Sequence, residues 1–333
     1  MSTVPGDLAG LRAELESHAA KRAWGDIRDR AATFADAELL ADPKVTYLVS
    51  EALFYLGKVE RALNLVLAAE SEFRARHDRV NLLSAVNLAG AVLFELGDLI
   101  GAEERFADLL ELAREGGDDE MSGRATNNLG AIASLRGEHE QALSLFRLSI
   151  PAYQKVGFTA GLAQTSHNLG IVHRDLGFWR EAERHYSDAL RRARQLDDQR
   201  LAAMARAGRA EILYRRGDFE YATAEATHAL GAFVATGDEL GRADALRLLG
   251  GVAAAQSDWT RARPLFESAL DIAREHGNLL LEAEILEGRA ELHIETKQIA
   301  LARADLQLAA ATYRRLGALR RLEQVETTLA NLS

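Results

Sequence analysis

An alanine recurs every 40 residues along most of the chain. The members of this column are Ala62, Ala102, Ala142, Ala182, Ala222, Ala262 and Ala302. A fixed period of tens of residues means that one supersecondary unit is copied along the chain, and that neighbouring copies bury each other's apolar faces. The sequence therefore predicts a stack of equivalent units.

Two columns of turn-forming residues divide each unit into two segments. The first column reads Gly57, Gly97, Gly137, Gly177, Gly217, Ser257 and Lys297, and the second reads Gly117, Gly157, Asp197, Gly237, Gly277 and Gly317. Such residues commonly end helices. Between these breaks, apolar residues are spaced three and four apart, as in Leu129, Ile132 and Ala133, whereas strand-like alternation is missing. Each unit is predicted to be two antiparallel helices of about fifteen residues, which makes the chain all-α.

A third column places small residues inside the first helix of each unit, among them Gly90, Gly130, Gly170 and Gly250. Because a glycine in a helix interior costs roughly 1 kcal/mol relative to alanine, its recurrence needs a structural reason. We expect these glycines to face the alanine column and to let the two helices approach closely. A bulky column should then fill the gap toward the next unit. Its members are Val66, Phe106, Phe146, Tyr186, Ala226, Phe266 and Leu306.

The regular pattern has limits at both ends of the chain. We predict an atypical N-terminal helix pair over residues 1–43, seven repeats over residues 44–317, and a C-terminal capping helix over residues 318–333. Pro151 and Pro264 fall inside second helices, where each removes one backbone hydrogen bond. We expect kinks at these prolines and not breaks.

Composition excludes several classes of function. The net charge of −10 is opposite in sign to that of proteins that bind a phosphate backbone, so nucleic acid is not expected as a partner. The absence of cysteine excludes disulfides, thiolate nucleophiles and zinc–cysteine sites. No phosphate-binding loop, metal-ligand spacing or signal-peptide stretch is found. We therefore expect a soluble cytoplasmic protein with no membrane segment, no metal, no cofactor and no catalytic residues.

The columns resemble a known repeat family. The run Asn128-Leu129-Gly130, followed by Gly137, Ala142 and Phe146, resembles the tetratricopeptide repeat, although the period is 40 residues instead of the usual 34. This longer variant is similar to the repeats of kinesin light chains, of Rap-type regulators and of sensor regions in bacterial transcription activators. The resemblance implies a right-handed α-solenoid, a superhelix of antiparallel helix pairs whose first helices line a concave groove that holds a peptide.

Helical geometry selects the same groove independently, since the face of each first helix opposite its small residue must line the inside of the curve. Amides there can bond a peptide main chain whatever its sequence. Glu284, Glu287, Glu291 and Glu295 form one acidic stripe that would suit a basic segment, or would simply be a solvated face. The predicted peptide-binding residues are Asn87, Glu95, Arg124, Asn127, Asn128, Gln164, His167, Asn168, Arg174, Arg247, Glu287 and Glu291.

Three functions are compatible with this pattern. The first is a noncatalytic scaffold that binds a segment of a partner protein in the groove. The second is a sensor whose superhelix tightens around a signalling peptide or small ligand, and the third is an unrecognised enzyme that uses the groove as a substrate pocket. The sequence leaves self-association open.

Arg209 and Arg289 stand where the family usually has leucine, and we expect them to form structural ion pairs between adjacent helices.

Overall fold

The computed structural model describes residues 8–332, of which the backbone is helical almost throughout and contains no strand. About 85% of the chain is helical. The helices are α1 (Leu8–Ala20), α2 (Trp24–Ala31), α3 (Asp36–Leu39), α4 (Pro43–Tyr55), α5 (Val59–Ala75), α6 (Arg79–Glu95), α7 (Leu99–Gly116), α8 (Asp119–Arg136), α9 (His139–Val156), α10 (Thr159–Asp175), α11 (Trp179–Gln195), α12 (Gln199–Arg215), α13 (Phe219–Thr236), α14 (Glu239–Ala255), α15 (Trp259–Glu275), α16 (Leu279–Glu295), α17 (Ile299–Leu316) and α18 (Leu319–Asn331).

The chain divides into two compact units, residues 1–125 and residues 126–333. Within each unit, consecutive helices pack as pairs. The first unit contains the pairs α4–α5 and α6–α7, and the second contains α10–α11, α12–α13, α14–α15 and α16–α17. We call the earlier helix of a pair its first helix and the later one its second helix. This arrangement is the all-α, solenoid-like fold of consecutive helix pairs that the 40-residue period predicted.

The predicted helix breaks are confirmed as left-handed turns. Every residue of the two turn columns has a positive φ, from 52° at Asp197 to 84° at Gly137. Glycine adopts this conformation without steric cost, which explains why the column is mostly glycine. Ser257 and Lys297 adopt it as well, with φ of 59° and 60°, so the turns without glycine keep the geometry of the others.

The small residues of the first helix lie in close contact with the second helix of the same pair. A Cβ atom added to Gly130 would lie 2.7 Å from Phe146 Cε1, and one added to Gly170 would lie 2.6 Å from Tyr186 Cε1. In these two pairs the atoms nearest to the glycine belong to the aromatic column of the second helix. In the first pair, Ser50 Oγ of the small column donates to the carbonyl oxygen of Ala62 at 2.9 Å. The Tyr186 ring also meets the next unit, since a Cβ added to Gly208 would lie 2.4 Å from Tyr186 Cε1. The bulky residue thus fills the gap toward the following unit, as predicted.

The two internal prolines lie within continuous helices, and in the segment of the predicted N-terminal helix pair the structure has α1, α2 and the short α3. α9 continues through Pro151 and α15 through Pro264, so neither proline breaks its helix. In α18, Val325 is 1% exposed and packs on the apolar cluster of α15–α17. Of the predicted terminal segments, residues 1–7 and Ser333 lie outside the described residues. Among the helices that the structure describes, none combines the length and apolarity that a membrane crossing requires.

Candidate functional site

The first helices of the second unit contact one another through their side chains. Asn168 of α10 donates to Asn127 of α8 over 3.2 Å, although α9 lies between these helices in sequence. In the same way, Arg247 of α14 donates to Glu211 of α12, and Arg321 of α18 donates to Glu284 of α16. We call the surface formed by these side chains of α8, α10, α12, α14, α16 and α18 the first-helix face. It is the surface on which the sequence placed most of the predicted binding residues.

A buried amide network lies at the α8–α10 end of the first-helix face. Asn127 is 4% exposed, and its Oδ1 accepts hydrogen bonds from Thr165 Oγ1 at 3.0 Å and from Asn168 Nδ2 at 3.2 Å. Gln164 Nε2 donates to Asn168 Oδ1 at 3.3 Å, and Asn128 is partly exposed. The structure therefore brings the predicted amides together. Asn127 acts chiefly by holding its neighbours in place, because its own carbonyl oxygen already has two donors.

Charged side chains of alternating sign continue along the face. Their order is Arg174, Glu211, Arg247, Glu284 and Arg321, one from each of α10, α12, α14, α16 and α18. Successive members are 36 or 37 residues apart, which is about one helical turn less than the 40-residue repeat. We call this row the charge ladder. Its alternation lets each charge lie near opposite charges on neighbouring helices, so the row is largely self-compensating.

Glu211 is the most constrained member of the charge ladder. Its side chain is 5% exposed, and it pairs with Arg215 at 2.9 Å and with Arg247 at 3.2 Å. Burial alone would raise the pKa of this carboxyl, but Arg247, Arg215 and Arg174 together hold the pKa well below its ordinary value. Glu211 is therefore ionised whenever the protein is folded near neutral pH. It anchors α10, α12 and α14 electrostatically.

The acidic stripe on α16 is partly neutralised within the chain. Arg321 bonds Glu284 at 3.1 Å and Glu287 at 3.4 Å, and the Tyr313 hydroxyl donates to Glu287 at 2.9 Å. Burial raises the pKa of Glu284 above its ordinary value, although Arg321 and Arg247 act in the opposite direction. Glu291 and Glu295 are exposed to solvent. Burial raises the pKa of Glu291, and Arg215 acts in the opposite direction, so compensation within the chain extends beyond Glu284 and Glu287.

Two polar atoms beside Arg174 are buried and have no hydrogen-bond partner among the described residues. They are the Tyr186 hydroxyl oxygen and His167 Nδ1, and the two rings lie 5.4 Å apart. Burial raises the pKa of Tyr186, and the charges of Arg174 and Glu211 also act on its hydroxyl. Burial lowers the pKa of His167 to about 4, with help from Arg174, so this imidazole is neutral. We call these three residues the Tyr186 subsite.

The Tyr186 subsite was only partly foreseen from the sequence. His167 and Arg174 were predicted binding residues, whereas Tyr186 was assigned to packing as a member of the bulky column. Its ring does pack, between Gly170 and Gly208. A signal for the second role was nevertheless present, because Tyr186 is the only residue of that column that carries a hydroxyl group. Arg321 and Glu211 were likewise placed outside the binding set, and the structure brings both onto the first-helix face.

The first unit carries the remaining predicted residues. Asn87 and Glu95 lie partly buried on α6, and Arg124 lies on α8, where it pairs with Glu120 at 2.9 Å. Arg124 also acts electrostatically on Glu51 of α4, a carboxyl whose pKa is raised by burial.

Aromatic residues of α4 pack against one another and against α2 in the first unit. Tyr55 stacks on Trp24 with ring centroids 4.5 Å apart, and Phe54 contacts Tyr55 edge-on at 5.4 Å. Tyr47 lies beneath Lys44, whose Nζ is 5.1 Å from the ring centroid. The stacking of Tyr55 on Trp24 joins α2 to α4.

The two arginines that replace leucine form ion pairs with the second helix of their own pair. Arg209 bonds Glu225 at 3.1 Å, and Arg289 bonds Asp305 in a bidentate arrangement at 2.8 and 2.9 Å. The predicted structural role of these arginines is confirmed.

Comparison with known proteins agrees with this geometry. Models of the tetratricopeptide repeat match residues 78–155, 161–233 and 222–277, which together make up more than half of the chain. The chain belongs to the tetratricopeptide-repeat family. A search of curated protein sequences found no significant match.

Several solved structures share the fold at low sequence identity. A Rap protein complexed with competence and sporulation factor is 14% identical with a TM-score of 0.62, over 98% of this chain and 99% of that one. NprR in complex with its cognate peptide NprX is 14% identical with a TM-score of 0.63, over 98% and 97%. The Rap conjugation gene regulator of plasmid pLS20, in complex with the Phr* peptide, is 14% identical with a TM-score of 0.70, over 85% and 77%. These likenesses show a common fold.

Proposed function

We propose that the first-helix face of the second unit binds an extended peptide segment, and that the protein serves as a noncatalytic regulator or scaffold for the partner that carries the segment. The tetratricopeptide-repeat fold supports this proposal, since stacked helix pairs provide a stiff surface that loses little entropy on binding. The solved structures of similar fold that were determined with peptides also support it.

The observation that carries the proposal is the Tyr186 subsite. A buried polar group without a hydrogen-bond partner costs about 1–3 kcal/mol, so a structure rarely keeps two of them side by side without a use. Both atoms are enclosed in the structure, so peptide binding must open the subsite. A peptide carbonyl oxygen can then accept from the Tyr186 hydroxyl, and a peptide N–H can donate to an unprotonated imidazole nitrogen of His167. Asn168 and Gln164 extend the same donor and acceptor pattern toward α8.

The charge ladder indicates which forces would contribute least to affinity. Arg247 and Arg321 already pair with carboxylates of the chain, so a peptide would find few unmatched charges at the centre of the face. Main-chain hydrogen bonds and one or two side-chain contacts would then dominate the binding free energy. Affinity should accordingly change little with ionic strength, unlike that of a surface with unpaired charges.

A selected peptide provides the test of this function. A random heptapeptide phage library would be panned on the immobilised full chain, and the recovered peptide would be synthesised and titrated by calorimetry. We expect Tyr186→Phe to weaken its binding about fivefold, which is the loss of one hydrogen bond. The melting temperature should be kept, because phenylalanine occupies the same column position at Phe106, Phe146 and Phe266.

Tyr221→Phe is the matched control, since it removes the same hydroxyl from a residue that is 69% exposed on α13. Binding to this variant should equal binding to the native protein. If Tyr186→Phe and Tyr221→Phe both bound the peptide with native affinity, the first-helix face would not be the binding surface.

A further inference from the structure

A separate cleft opens on the other side of the second unit, between the second helices α9 and α11. Its volume is about 500 Å³, within the range of roughly 300–1,000 Å³ that is typical of ligand sites. The floor is apolar and is formed by Ile150 of α9 and by Leu162 and Leu169 of α10. The polar lining comes mainly from α11. None of the residues that line the cleft belongs to the first-helix face.

The cleft exists because one repeat lacks the side chains that fill the equivalent place in the next one. Ser166 lines the cleft, and the residue 40 positions later is Arg206, which bonds Glu225 of α13 at 2.6 Å. Glu225 in turn stands 40 positions after His185, which lines the cleft from α11. An internal ion pair thus fills the α11–α13 gap, whereas a serine and a histidine leave the α9–α11 gap open.

Later repeats fill the corresponding place as well. Leu265 of α15 packs against an apolar cluster that includes Leu248 and Leu249 of α14, and Arg289 of α16 bonds Asp305 of α17. The position of Ser166 is occupied there by Leu246 and Leu286. Among the repeats that follow α8, the α9–α11 gap therefore differs from the others. It has a serine and a neutral histidine at positions where the later repeats have leucines or ion-paired side chains.

The rim of the cleft is positively charged in a protein whose net charge is −10. Arg184, Arg191 and Arg192 line it together with a single carboxylate, Asp188. Asp188 accepts from Ser166 at 2.8 Å and from Arg192 at 2.8 Å, and it also pairs with Arg191. Arg184 is exposed and adds a further positive charge at the opening.

His185 does not add to this charge. Burial lowers its pKa to about 4, and the neighbouring His173 and Arg184 lower it further, although Asp188 and Glu181 act in the opposite direction. Its ring lies 4.8 Å from that of His173. A neutral imidazole between an apolar floor and an arginine rim suits a ligand that is both apolar and anionic.

We propose that this cleft is a second docking site, which binds an acidic segment of a partner protein that places a large apolar side chain beside its carboxylates. The apolar side chain would cover Ile150, Leu162 and Leu169. The flanking carboxylates would pair with Arg184 and Arg191, the two exposed arginines of the rim. Charge complementarity selects an acidic segment over a neutral or basic one.

Fluorescence polarisation with three labelled peptides tests the docking site on the full chain. The probe is acetyl-Gly-Glu-Leu-Glu-Glu-Leu-Gly-amide carrying fluorescein, compared with a peptide that has lysine for glutamate and one that has serine for leucine. We expect the acidic apolar probe to bind with a Kd below about 1 mM and with an affinity that falls as salt is added. Both comparison peptides should bind at least about tenfold more weakly.

Two pairs of substitutions locate the binding. Ser166→Arg with His185→Glu installs the ion pair that fills the next gap, and it should abolish probe binding while keeping the melting temperature. Arg184→Glu with Arg191→Glu should weaken binding more than about tenfold. The matched control is Arg180→Glu with Arg194→Glu, which changes the charge of α11 by the same amount outside the cleft and should have a much smaller effect.

Three results would overturn the proposal. These are an acidic probe that fails to bind the native chain, a filled-cleft variant that binds as well as the native chain, and a control pair that loses as much affinity as the rim pair. Tyr186→Phe should leave probe binding unchanged, so failure of this docking site and failure of the first-helix face are distinguishable.

Discussion

At the scale of single residues, two of the repeats hold an aromatic ring between two glycines. Tyr186 lies between Gly170 and Gly208, and Phe266 lies between Gly250 and Gly288. The recurrence of small residues showed that helices approach closely, because nothing else explains glycine inside so many helices. It did not show which partner fills the space, since both the alanine and the aromatic column lie on the second helix. Only the packing geometry decides between them.

Replacing Gly130 with leucine should lower the free energy of unfolding by about 3 kcal/mol. The new Cβ would lie 2.7 Å from Phe146, so the ring or the helix must move. Urea unfolding followed by circular dichroism measures the change. Gly231→Leu is the control, because an added Cβ at Gly231 has no atom within 4 Å and glycine is equally unfavourable in that helix. Equal destabilisation by both substitutions would contradict the assigned packing.

The turns that lack glycine should be sites of easy stabilisation. Ser257 and Lys297 have φ near 60°, a conformation that costs a residue with a Cβ about 1–2 kcal/mol. We therefore expect Ser257→Gly and Lys297→Gly each to raise the free energy of unfolding by about 1 kcal/mol. Gly217→Ser, the reverse change at an equivalent turn, should lower it by a similar amount. Urea unfolding measures these changes. A change of the same sign in the free energy of unfolding for all three variants would be inconsistent with strained turns.

At the scale of helices, the 40-residue lattice located the elements better than it located the site. Helix ends follow from left-handed residues and from Asp N-caps such as Asp98 and Asp238, whose side chains accept the amide N–H three residues on. The charge ladder does not follow the lattice, because its members advance by 36 or 37 residues. Contacts along the first-helix face therefore shift by about a turn per repeat, which a column alignment alone does not reveal.

Glu211 gives the charge ladder a measurable effect on stability. Glu211→Gln should lower the free energy of unfolding at pH 7 by about 2 kcal/mol, because Arg247 and Arg215 would lose a buried partner. The folded pKa of Glu211 lies below its unfolded value of about 4.3. Its stabilising contribution is therefore present above that value and is lost as the pH falls toward the folded pKa.

Urea midpoints measured between pH 3 and pH 8 check this dependence. The difference between the native protein and Glu211→Gln should be constant above about pH 5 and should shrink below about pH 4. Glu326→Gln, which alters an exposed pair with Arg314, should have little effect at any pH. A difference for Glu211→Gln that grew on acidification would have the wrong sign for a carboxyl of lowered pKa.

At the scale of the whole molecule, the family and the fold were predictable from the amino-acid sequence, whereas the binding surface was predictable only in part. The residues that recur every 40 positions are those that pack the helices together, and this packing defines a tetratricopeptide-repeat solenoid. A site is instead built from departures from the repeat. Tyr186 is such a departure, because no other member of its column carries a hydroxyl group, and so is Ser166, because the next repeat has Arg206 at the equivalent position. The significance of each depends on side chains from distant parts of the sequence.

Photo-cross-linking of the selected peptide tests the central claim most directly. The peptide would carry benzoylphenylalanine at its central position, and mass spectrometry would identify the residues to which it becomes attached. We predict cross-links to the first helices α10, α12, α14 and α16, and markedly fewer when Tyr186→Phe is used. Cross-links confined to the second helices α11, α13 and α15 would contradict binding at the first-helix face.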